Sequence, residues 1–308
     1  MTILLTGASG FIGQNLLKLQ SQRELNFKIV SRQRAKKSDS FTYCIDSFDS
    51  STCWSNAFEG VESIIHLAAL AHKTNFLNRD YREVNTKGTL NLAKEAIKYG
   101  VKRFVFVSSI GVNGISTHET PFTESSMPFP HNSYAQSKHD AEIGLKKIAE
   151  ETGLEVVIVR PTLVYGACAP GNFGALTRLV NNVPILPFGM ANNRRDFIAV
   201  QNLAELLVTC ATHPDAAGHT FLASDSETVS IKEFTDAIAE GIGKKVIQLP
   251  VPVSVMRLVG KLIGKSAMIE QLYGNLEVDS SNAKEVLGWT PPYTMKQAMA
   301  TLRDSGVK

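Results

Sequence analysis

Three glycines close to the amino terminus constrain the fold of this chain more than any other feature of its sequence. They form a turn at positions 7–13, between the apolar run 2–6 and a segment, 11–22, whose apolar residues have helical spacing. A strand, a glycine turn and a helix in this order begin a βαβ unit, and the backbone N–H groups of such a turn can approach a pyrophosphate. A tight turn without a ligand is the alternative. The residues that we predict to bind a dinucleotide here are Gly7, Gly10, Phe11, Ile12 and Gly13.

The first two-thirds of the chain continue this alternation of strand-like and helix-like segments. The strand candidates are short β-branched or apolar runs, which are typical of strands buried in a parallel sheet. Strand and helix in alternation imply right-handed crossovers. We therefore predict an α/β fold, with a Rossmann-type doubly wound parallel sheet and a smaller C-terminal α/β substrate domain. The further predicted strands are 27–31, 63–67, 103–108 and 155–159, and the further predicted helices are 85–99 and 133–152.

The regular alternation loosens after position 161, which predicts a domain boundary. We assign residues 1–165, with a returning segment at about 196–212, to the dinucleotide-binding domain, and residues 166–308 mainly to the substrate-binding domain. Glycine and proline predict loops in the second part, and shorter helices should pack against the carboxyl ends of the strands. The predicted loops are 166–174 and 182–193, and the predicted helices are 231–240, 253–263, 281–287 and 295–303.

The composition excludes several classes of protein. The 308 residues are 44% hydrophobic and 20% charged with a net charge of +3, so a disordered chain is not expected, and the scattered basic residues predict no nucleic-acid partner. Four widely spaced cysteines predict no metal site and a reducing, cytoplasmic location, and no leader peptide is expected. The stretch 249–264 is too short and too charged for an integral membrane segment. Its apolar spacing predicts a helix packed on a domain core, with a helix lying on a membrane surface as the alternative.

The end of the second predicted strand bears on which dinucleotide binds. An acidic residue there would favour NAD, whereas arginine would neutralise the 2′-phosphate of NADP. Arg32 and Arg34 follow the strand, and no carboxylate occurs before Asp39. We therefore predict NAD or NADP as cofactor, with NADP favoured and Arg32 as the first candidate for the clamp; solvated loop arginines are the alternative. Asp46 is a candidate to bind the adenine amino group, and the beginning of a turn is an equal alternative.

The pair Tyr134 and Lys138 is the strongest catalytic candidate. Their spacing of four residues places both side chains on one face of a helix. A phenol with a pKa of about 10 is a poor base at neutral pH unless a cation stabilises the phenolate, and Lys138 supplies that cation. Ser109 ends an apolar strand and would donate a hydrogen bond to the same substrate oxygen, with Ser108 beside the cofactor. The alternative for both serines is a helix or turn cap.

A second strand ends with small residues at the same predicted sheet edge. His66 is followed by Leu67 and then by Ala68 and Ala69, and the small side chains of the two alanines would allow a cofactor to approach closely. We interpret His66 itself as a buried, hydrogen-bonded histidine.

Six motifs in order carry a resemblance to a known family. They are TGASGFIG, HLAA, FVSS, YAQSK, RPTLVYG and RRDFIAVQNLA, and the similarity extends to LGWTP at 287–291. The chain resembles the extended short-chain dehydrogenases/reductases, in the NAD-dependent epimerase/dehydratase branch and its UDP-glucose 4-epimerase-like group.

The resemblance implies roles for several residues. It implies a nucleotide-sugar substrate, with Tyr134 as acid/base, Lys138 as its pKa partner and ribose ligand, and Ser109 as donor to the substrate oxygen. It also implies that Asn85 lies near the cofactor, and that Asn172 and Arg195 bind the substrate's diphosphate and nucleotide. An ion pair of Arg195 with a carboxylate is the alternative. A homodimer formed through helices 85–99 and 133–152 is common among such proteins.

The sequence departs from the pattern of this family in two places. The region 268–272 lacks the second phosphate-binding arginine, so Lys265 or Arg178 would have to replace it, and the second strand lacks its acidic residue. The 4,6-dehydratases carry an Asp-Glu pair after the active-site hydroxyl, but Ile110 and Gly111 stand here, which argues against dehydration.

We therefore predict an NAD(P)-dependent oxidoreductase that acts at C4 of a UDP-sugar, as a UDP-hexose or UDP-N-acetylhexosamine 4-epimerase. An NADPH-dependent reductase of a UDP-4-keto-6-deoxy-hexosamine is the first alternative, motivated by the missing carboxylate. A non-catalytic dinucleotide sensor is the second, and the intact residues Ser109, Tyr134 and Lys138 argue against it.

Overall fold

The computed structural model describes residues 1–23, 25–32, 41–71 and 77–303 of the chain. Arg34 and Asp39 lie outside the described residues. The strands are β1 (Thr2–Thr6), β2 (Asn26–Ser31), β3 (Thr42–Cys44), β4 (Val61–His66), β5 (Arg103–Val107), β6 (Glu155–Pro161), β7 (Leu163–Tyr165), β8 (Ile185–Leu186), β9 (Phe197–Ala199), β10 (Thr220–Ala223) and β11 (Ile247–Gln248). The helices are α1 (Phe11–Arg23), α2 (Asn78–Tyr81), α3 (Thr89–Lys98), α4 (Ser133–Thr152), α5 (Gly171–Asn182), α6 (Val200–Thr212), α7 (Ile231–Gly241), α8 (Val253–Leu262), α9 (Ser266–Tyr273), α10 (Ser281–Leu287) and α11 (Met295–Ala300).

A seven-stranded parallel sheet organises the molecule. Its strand order is β10-β6-β5-β4-β1-β2-β3, so the chain winds outward from β1 in both directions. Helices α1 and α6 cover one face, where Leu16 and Leu207 join the core, and α3 and α4 cover the other, where Leu92 and Leu145 do so. The predicted Rossmann-type doubly wound sheet is confirmed, because buried strands alternate with amphipathic helices as the pattern requires.

The second part of the chain has a core of its own. Helices α5, α7 and α11 enclose a cluster that includes Phe173, Phe234 and Met299. Two short parallel pairs, β7 with β9 and β8 with β11, belong to this part. The chain is predicted to return to the dinucleotide-binding domain at about 196–212, but residues after 212 also join the large sheet. Strand β10 forms the edge of this sheet beside β6, and α10 packs on the sheet.

The bounds of the elements follow the sequence pattern closely in the large sheet and less well elsewhere. Strand β1 and helices α4 and α10 have the predicted bounds. The predicted helix 85–99 was wrong at its start, since a π-helical stretch, Arg82–Gly88, precedes α3. The predicted loop 166–174 ends in helix α5, and the predicted loop 182–193 contains β8. Helix α11 ends at Ala300, before the predicted end at 303.

The prediction that the apolar stripe of α8 packs on a core was wrong. Five apolar residues at helical spacing are each between 42% and 77% exposed. Helix α8 instead contacts the core through Val253 and Met256, and through buried Gly260, where an added Cβ would lie 2.6 Å from Ile269. The missing side chain at Gly260 lets α8 and α9 pack closely on that side, which turns the larger apolar residues outward. These outward residues form the α8 apolar face: Val255, Leu258, Val259, Leu262 and Ile263.

Within the described residues, the structure has no helix that is long and apolar enough to cross a membrane.

Candidate active site

The glycine turn lies between β1 and α1, and its geometry requires glycine. Gly7 has a φ of +74°, and a Cβ there would lie 2.8 Å from the backbone nitrogen of Ala68. A Cβ at Gly13 would lie 2.4 Å from the carbonyl oxygen of Gly7, to which Gly10 donates a backbone hydrogen bond of 3.0 Å. The turn is therefore closed tightly against the end of β4 and against the first turn of α1.

These residues fit a dinucleotide. Gly10 is exposed, and Phe11 and Ile12 are half-buried at the amino terminus of α1. Helix amino termini bind anions through free N–H groups, and glycine lets a pyrophosphate approach them. The half-buried residues Leu67 and Ala68 lie against the turn, and their contact with a cofactor stays a prediction.

The two candidates for the adenosine side lie at the ends of neighbouring strands. Arg32 directly follows β2 and is exposed, and Asp46 follows β3 and is also exposed. The strands are joined there, because the backbone of Ile45 donates to the carbonyl of Ser31 at 2.9 Å. Both side chains are thus free to reach a ligand at this edge, and their roles stay predictions.

Helix α4 places Tyr134 and Lys138 at the carboxyl edge of the sheet. Asn132 caps the helix by accepting from the backbone of Ala135 at 2.8 Å, which fixes where the first turn begins. The ammonium of Lys138 donates to the carbonyl of Val107 at 2.8 Å and lies 4.6 Å from the centroid of the Phe106 ring. The end of β5 and the catalytic candidates of α4 are therefore held together.

Burial shifts the pKa values of the pair in opposite directions. Desolvation lowers the pKa of Lys138 to about 7, although the nearby Glu142 opposes the shift. Desolvation, with a smaller contribution from Tyr81, raises the pKa of Tyr134 to about 12. The expectation that Lys138 holds the phenol pKa down is not met in the protein alone, because burial penalises the phenolate more. Tyr134 is therefore a protonated phenol at neutral pH in this structure.

The two serines after β5 differ in their surroundings. Ser109 begins a short 3₁₀ turn, Ile110–Val112, and its Oγ accepts from the backbone of Gly111 at 3.1 Å. That bond uses a lone pair of the hydroxyl, so Ser109 keeps its O–H to donate. The Oγ of Ser108 is buried and has no hydrogen-bond partner among the described residues. The cap interpretation therefore describes Ser109 and not Ser108.

Asn85 links three segments of the site from the π-helical stretch. Its amide accepts from the backbone of Leu70 at 2.8 Å and donates to the Leu70 carbonyl at 3.1 Å. It also donates to the hydroxyl of Ser137 at 3.0 Å, and Ser137 donates to the carbonyl of Tyr134 at 2.8 Å. Asn85 thus fixes the chain after Ala69 relative to the catalytic helix, and the π-helical turn supplies the extra residue that brings it there.

His66 is buried and hydrogen-bonded, as interpreted from the sequence. Its Nδ1 lies 2.6 Å from the hydroxyl of Thr6, at the end of β1, and its Nε2 lies 2.9 Å from the hydroxyl of Thr89. Burial, with the positive charge of Lys138 as a smaller cause, lowers the pKa of His66 well below its usual value. The ring is therefore neutral and joins the strand before the glycine turn to helix α3.

The two substrate candidates lie in the second part of the chain. Asn172 is the exposed second residue of α5. Arg195 is 9% exposed, donates to the Gly274 carbonyl at 2.9 Å, and has a pKa lowered to about 10 by burial. No carboxylate of the described residues pairs with Arg195, so the ion-pair alternative finds no support in the part of the chain that the structure describes. No described contact joins either residue to Tyr134.

The sequence interpretation missed several residues that hold the site. Ser137, inside the motif of the tyrosine and lysine, was not singled out, although its position on the inner face of α4 was a usable signal. Glu142 and Arg160 form a buried ion pair with N–O distances of 2.5 and 3.0 Å, and Arg160 also donates to Asn113 at 3.1 Å. No local signal in the sequence pairs residues that are 18 positions apart.

A parallel Rossmann-type sheet, a glycine turn after β1, and a tyrosine–lysine pair at the carboxyl edge define a dinucleotide-dependent enzyme of the short-chain dehydrogenase/reductase class. The model of the NAD dependent epimerase/dehydratase family matches residues 3–223. The chain therefore belongs to the NAD dependent epimerase/dehydratase family.

Individual relatives agree with this assignment. The UDP-glucose 4-epimerase of Vibrio cholerae is 42% identical over 303 residues, which cover 96% of this chain and 92% of that protein. The crystal structure of UDP-glucose 4-epimerase with UDP-glucose from Thermotoga maritima covers 99% of this chain and 98% of its own, with a TM-score of 0.77 and 22% identity. The structure of RMD from Pseudomonas aeruginosa complexed with NADPH has a TM-score of 0.76 and 20% identity, and it covers 99% of both chains. The two structures show that the fold is shared.

Proposed function

We propose that this protein is an NAD(P)-dependent 4-epimerase of a UDP-hexose or UDP-N-acetylhexosamine. The observation that carries the proposal is the 42% identity to the Vibrio cholerae UDP-glucose 4-epimerase over nearly the whole of both chains. The tyrosine–lysine pair at the end of β5 supplies the groups that such a reaction needs.

Tyr134 exchanges a proton with the hydroxyl at C4 of the sugar. Its phenol is protonated in the protein alone, so it is ready to donate a proton to a 4-keto oxygen. Taking the proton from a C4 hydroxyl requires a lower pKa, and Lys138 on the same helix face, whose own pKa is lowered to about 7, favours the phenolate in its protonated form. The bound dinucleotide supplies the hydride acceptor and donor for C4. Ser109 donates to the same oxygen and orients it.

Inversion needs a sugar that turns and a nucleotide that stays in place. Binding free energy should therefore be concentrated on the UDP part of the substrate. Arg195, buried and without a carboxylate partner among the described residues, suits a diphosphate or nucleotide, because a guanidinium can bind two oxygens at once. Asn172 is exposed at the start of α5, and Lys265 and Arg178 are exposed cations for the missing second arginine.

For the dinucleotide, we propose that the backbone at Gly7, Gly10, Phe11, Ile12 and Gly13 binds the pyrophosphate. Leu67, Ala68, Ala69, Asn85 and Ser108 line the nicotinamide side, with Lys138 on the ribose. The unpartnered, buried hydroxyl of Ser108 supports this placement, because a ligand atom would satisfy it. Asp46 would bind the adenine, and exposed Arg32 favours the 2′-phosphate of NADP.

The test is a product assay with purified protein, UDP-galactose and UDP-N-acetylgalactosamine, without added cofactor. Conversion of either compound into its C4 epimer is expected, since a 4-epimerase regenerates its cofactor in each turnover. No inversion of either, with or without added NAD or NADP, would falsify the epimerase proposal.

An NADPH-dependent reductase of a UDP-4-keto-6-deoxy-hexosamine is the second candidate. The exposed Arg32 after β2, where an NAD-selective carboxylate would stand, favours it. Absorbance of the purified protein distinguishes the two: a retained dinucleotide favours epimerisation, whereas an empty protein that consumes one NADPH per product favours reduction.

We also propose a homodimer and a cytoplasmic location. Helices α3 and α4 pack side by side on one face of the sheet, and Ile143 of α4 is 55% exposed, which suits an interface. None of the four cysteines forms a disulfide within the described residues, as a reducing compartment would keep them. The division into the two predicted domains, 1–165 with 196–212 and 166–308, stays a prediction.

A further inference from the structure

The helical hairpin of α8 and α9 has an exposed face that the proposed function does not use. The α8 apolar face recurs at i, i+3, i+4, i+7 and i+8, so its five side chains form one stripe along the helix. Leu262 is 77% exposed, and Leu258 and Ile263 are each 58% exposed. Met268, near the start of α9, is also 47% exposed. A stripe of this size on a helix surface marks a place of interaction.

The opposite side of the hairpin packs against the rest of the protein, so the α8 apolar face has a fixed position on the surface. Val253 and Met256 pack against the second core, and Gly260 is buried against Ile269. Arg257 and Glu270 join the two helices by an ion pair with an N–O distance of 2.8 Å. The exposed face is therefore left over after the packing of the hairpin is complete.

The hairpin carries a net positive charge. Residues 253–273 contain three of the chain's 32 basic residues and one of its 29 acidic residues, Glu270, which pairs with Arg257. The rest of the chain carries 29 basic against 28 acidic residues, so most of the chain's net positive charge lies in this segment. Lys261 is exposed and pairs with no carboxylate of the described residues. Lys261 lies three positions after Leu258 and therefore next to it on the helix surface, at the border of the α8 apolar face.

We propose that the α8 apolar face docks on an anionic lipid bilayer. An amphipathic helix with apolar residues on one side and lysines along the border lies in the lipid interface, where the apolar side chains enter the acyl region and the lysines bind the headgroups. A second copy of this chain is a poor occupant, because a two-fold interface would place the same unbalanced positive segment against itself. An anionic bilayer offers an acyl region for the apolar side chains and negative headgroups for the lysines.

The position of the hairpin determines which part of the protein would lie next to the bilayer. Helix α9 ends at Tyr273, and the next carbonyl, that of Gly274, accepts the hydrogen bond from Arg195. Leu276 then pairs with Arg195 through the backbone. The bilayer would therefore lie next to the segment that holds the candidate substrate arginine. The docking itself does not depend on the proposed reaction.

The experiment is co-sedimentation of the full chain with vesicles of phosphatidylcholine alone or mixed with phosphatidylglycerol. We expect partition to the anionic vesicles that weakens with added salt. The variant Lys261→Gln should lower the partition coefficient about five-fold, since a lysine near an anionic surface contributes about 1 kcal/mol. The variant Leu262→Glu should lower it by about ten-fold or more. The matched control Lys284→Gln, at an exposed position of α10, should leave it unchanged.

Two further measurements keep the outcome clear. All the changed residues are exposed, so the Tm of each variant should equal that of the wild type. In the variant Leu262→Trp, the fluorescence should shift to the blue on addition of anionic vesicles and should be quenched by brominated lipid. The proposal is overturned if the wild type sediments equally with and without anionic vesicles. It is also overturned if Leu262→Glu changes the molar mass in solution and leaves vesicle partition unaltered, which would identify another protein chain as the occupant.

Discussion

The ammonium of Lys138 lies 2.8 Å from the carbonyl oxygen of Val107 and donates a hydrogen bond to it. This bond joins the catalytic helix to the end of strand β5, one residue before Ser108 and two before Ser109. The charge that would stabilise the phenolate of Tyr134 is thus anchored by the backbone of the sheet. Burial disfavours this charge and lowers the pKa of Lys138, whereas the negative charge of Glu142 raises it.

Replacing Tyr134 by phenylalanine should remove turnover and leave the fold intact. The loss should be about a hundred- to ten-thousand-fold, because the phenol is the proposed proton donor and acceptor at C4. Turnover of the UDP-sugar and titration with dinucleotide are the measurements, and dinucleotide binding should persist. Tyr81→Phe is the matched control, since that ring lies edge-on to Tyr134 at 6.4 Å. Unchanged turnover in Tyr134→Phe would remove the assigned role and favour a non-catalytic sensor.

Replacing Gly13 by alanine should lower the stability of the protein, whereas replacing Gly10 by alanine should weaken its binding of the dinucleotide. A Cβ at Gly13 would overlap the Gly7 carbonyl at 2.4 Å, so Gly13→Ala should lower the free energy of unfolding by about 1–3 kcal/mol. A Cβ at exposed Gly10 would lie 3.2 Å from the same oxygen, so Gly10→Ala should stay close to wild type in Tm. Its dinucleotide affinity should nevertheless fall, because the added methyl group narrows the approach to the turn. Equal dinucleotide affinity in Gly10→Ala and wild type would contradict the proposed pyrophosphate site.

Removing the guanidinium of Arg32 should change the selectivity for the dinucleotide. If Arg32 binds the 2′-phosphate, Arg32→Ala should weaken NADPH binding about ten-fold, the size of a charge-assisted hydrogen bond, and should leave NADH binding unchanged. Fluorescence titration with both dinucleotides measures this ratio. The exposed Arg79→Ala is the matched control. An equal loss of affinity for NADH and NADPH would show that Arg32 does not bind the 2′-phosphate.

Burial of Lys138 should make stability rise with pH in the alkaline range. Its pKa is about 7 in the folded protein and 10.5 in the reference state, so between these values the unfolded chain binds a proton that the folded protein does not. The contribution of this group to the free energy of unfolding should then rise by about 1.4 kcal/mol per pH unit from pH 7 to 10. Urea unfolding at several pH values measures the slope. The variant Lys138→Met should lose this part of the slope, and an identical slope in both proteins would show that Lys138 keeps an ordinary pKa.

Burial of neutral His66 should make the protein sensitive to acid. Its pKa is lowered in the folded state, so below about pH 6.5 the unfolded chain binds the extra proton and stability falls by about 1.4 kcal/mol per pH unit. Urea unfolding between pH 5 and 7 checks this. His66→Gln should show a shallower fall, although it costs stability at neutral pH by losing a partner of Thr6 or Thr89. The exposed His118→Gln should behave as wild type. The same acid slope in His66→Gln and wild type would count against a buried neutral ring.

Much of the large sheet could be predicted because its signals are local. The bounds of β1 follow from a short apolar run, and those of α4 follow from the capping residues Asn132 and Gly153, which directly flank the helix in the sequence. The glycine turn is local as well, since its spacing depends on the contact of Gly13 with Gly7. The start of α3 could not be predicted from local sequence signals. The π-helical stretch before it exists where Asn85 bonds to Leu70 and Ser137, which are distant in sequence.

The sequence by itself determined the alternation of strands and helices in most of the large sheet, the glycine turn, and the presence of a tyrosine and a lysine on one helix face. These depend on residues within a few positions of each other. Only the tertiary structure decided that Tyr134 has a raised pKa, that Lys138 bonds to Val107, and that α8 turns its larger apolar residues outward. Desolvation and packing depend on which distant segments surround a side chain, and the spacing of residues along the chain does not encode those neighbours.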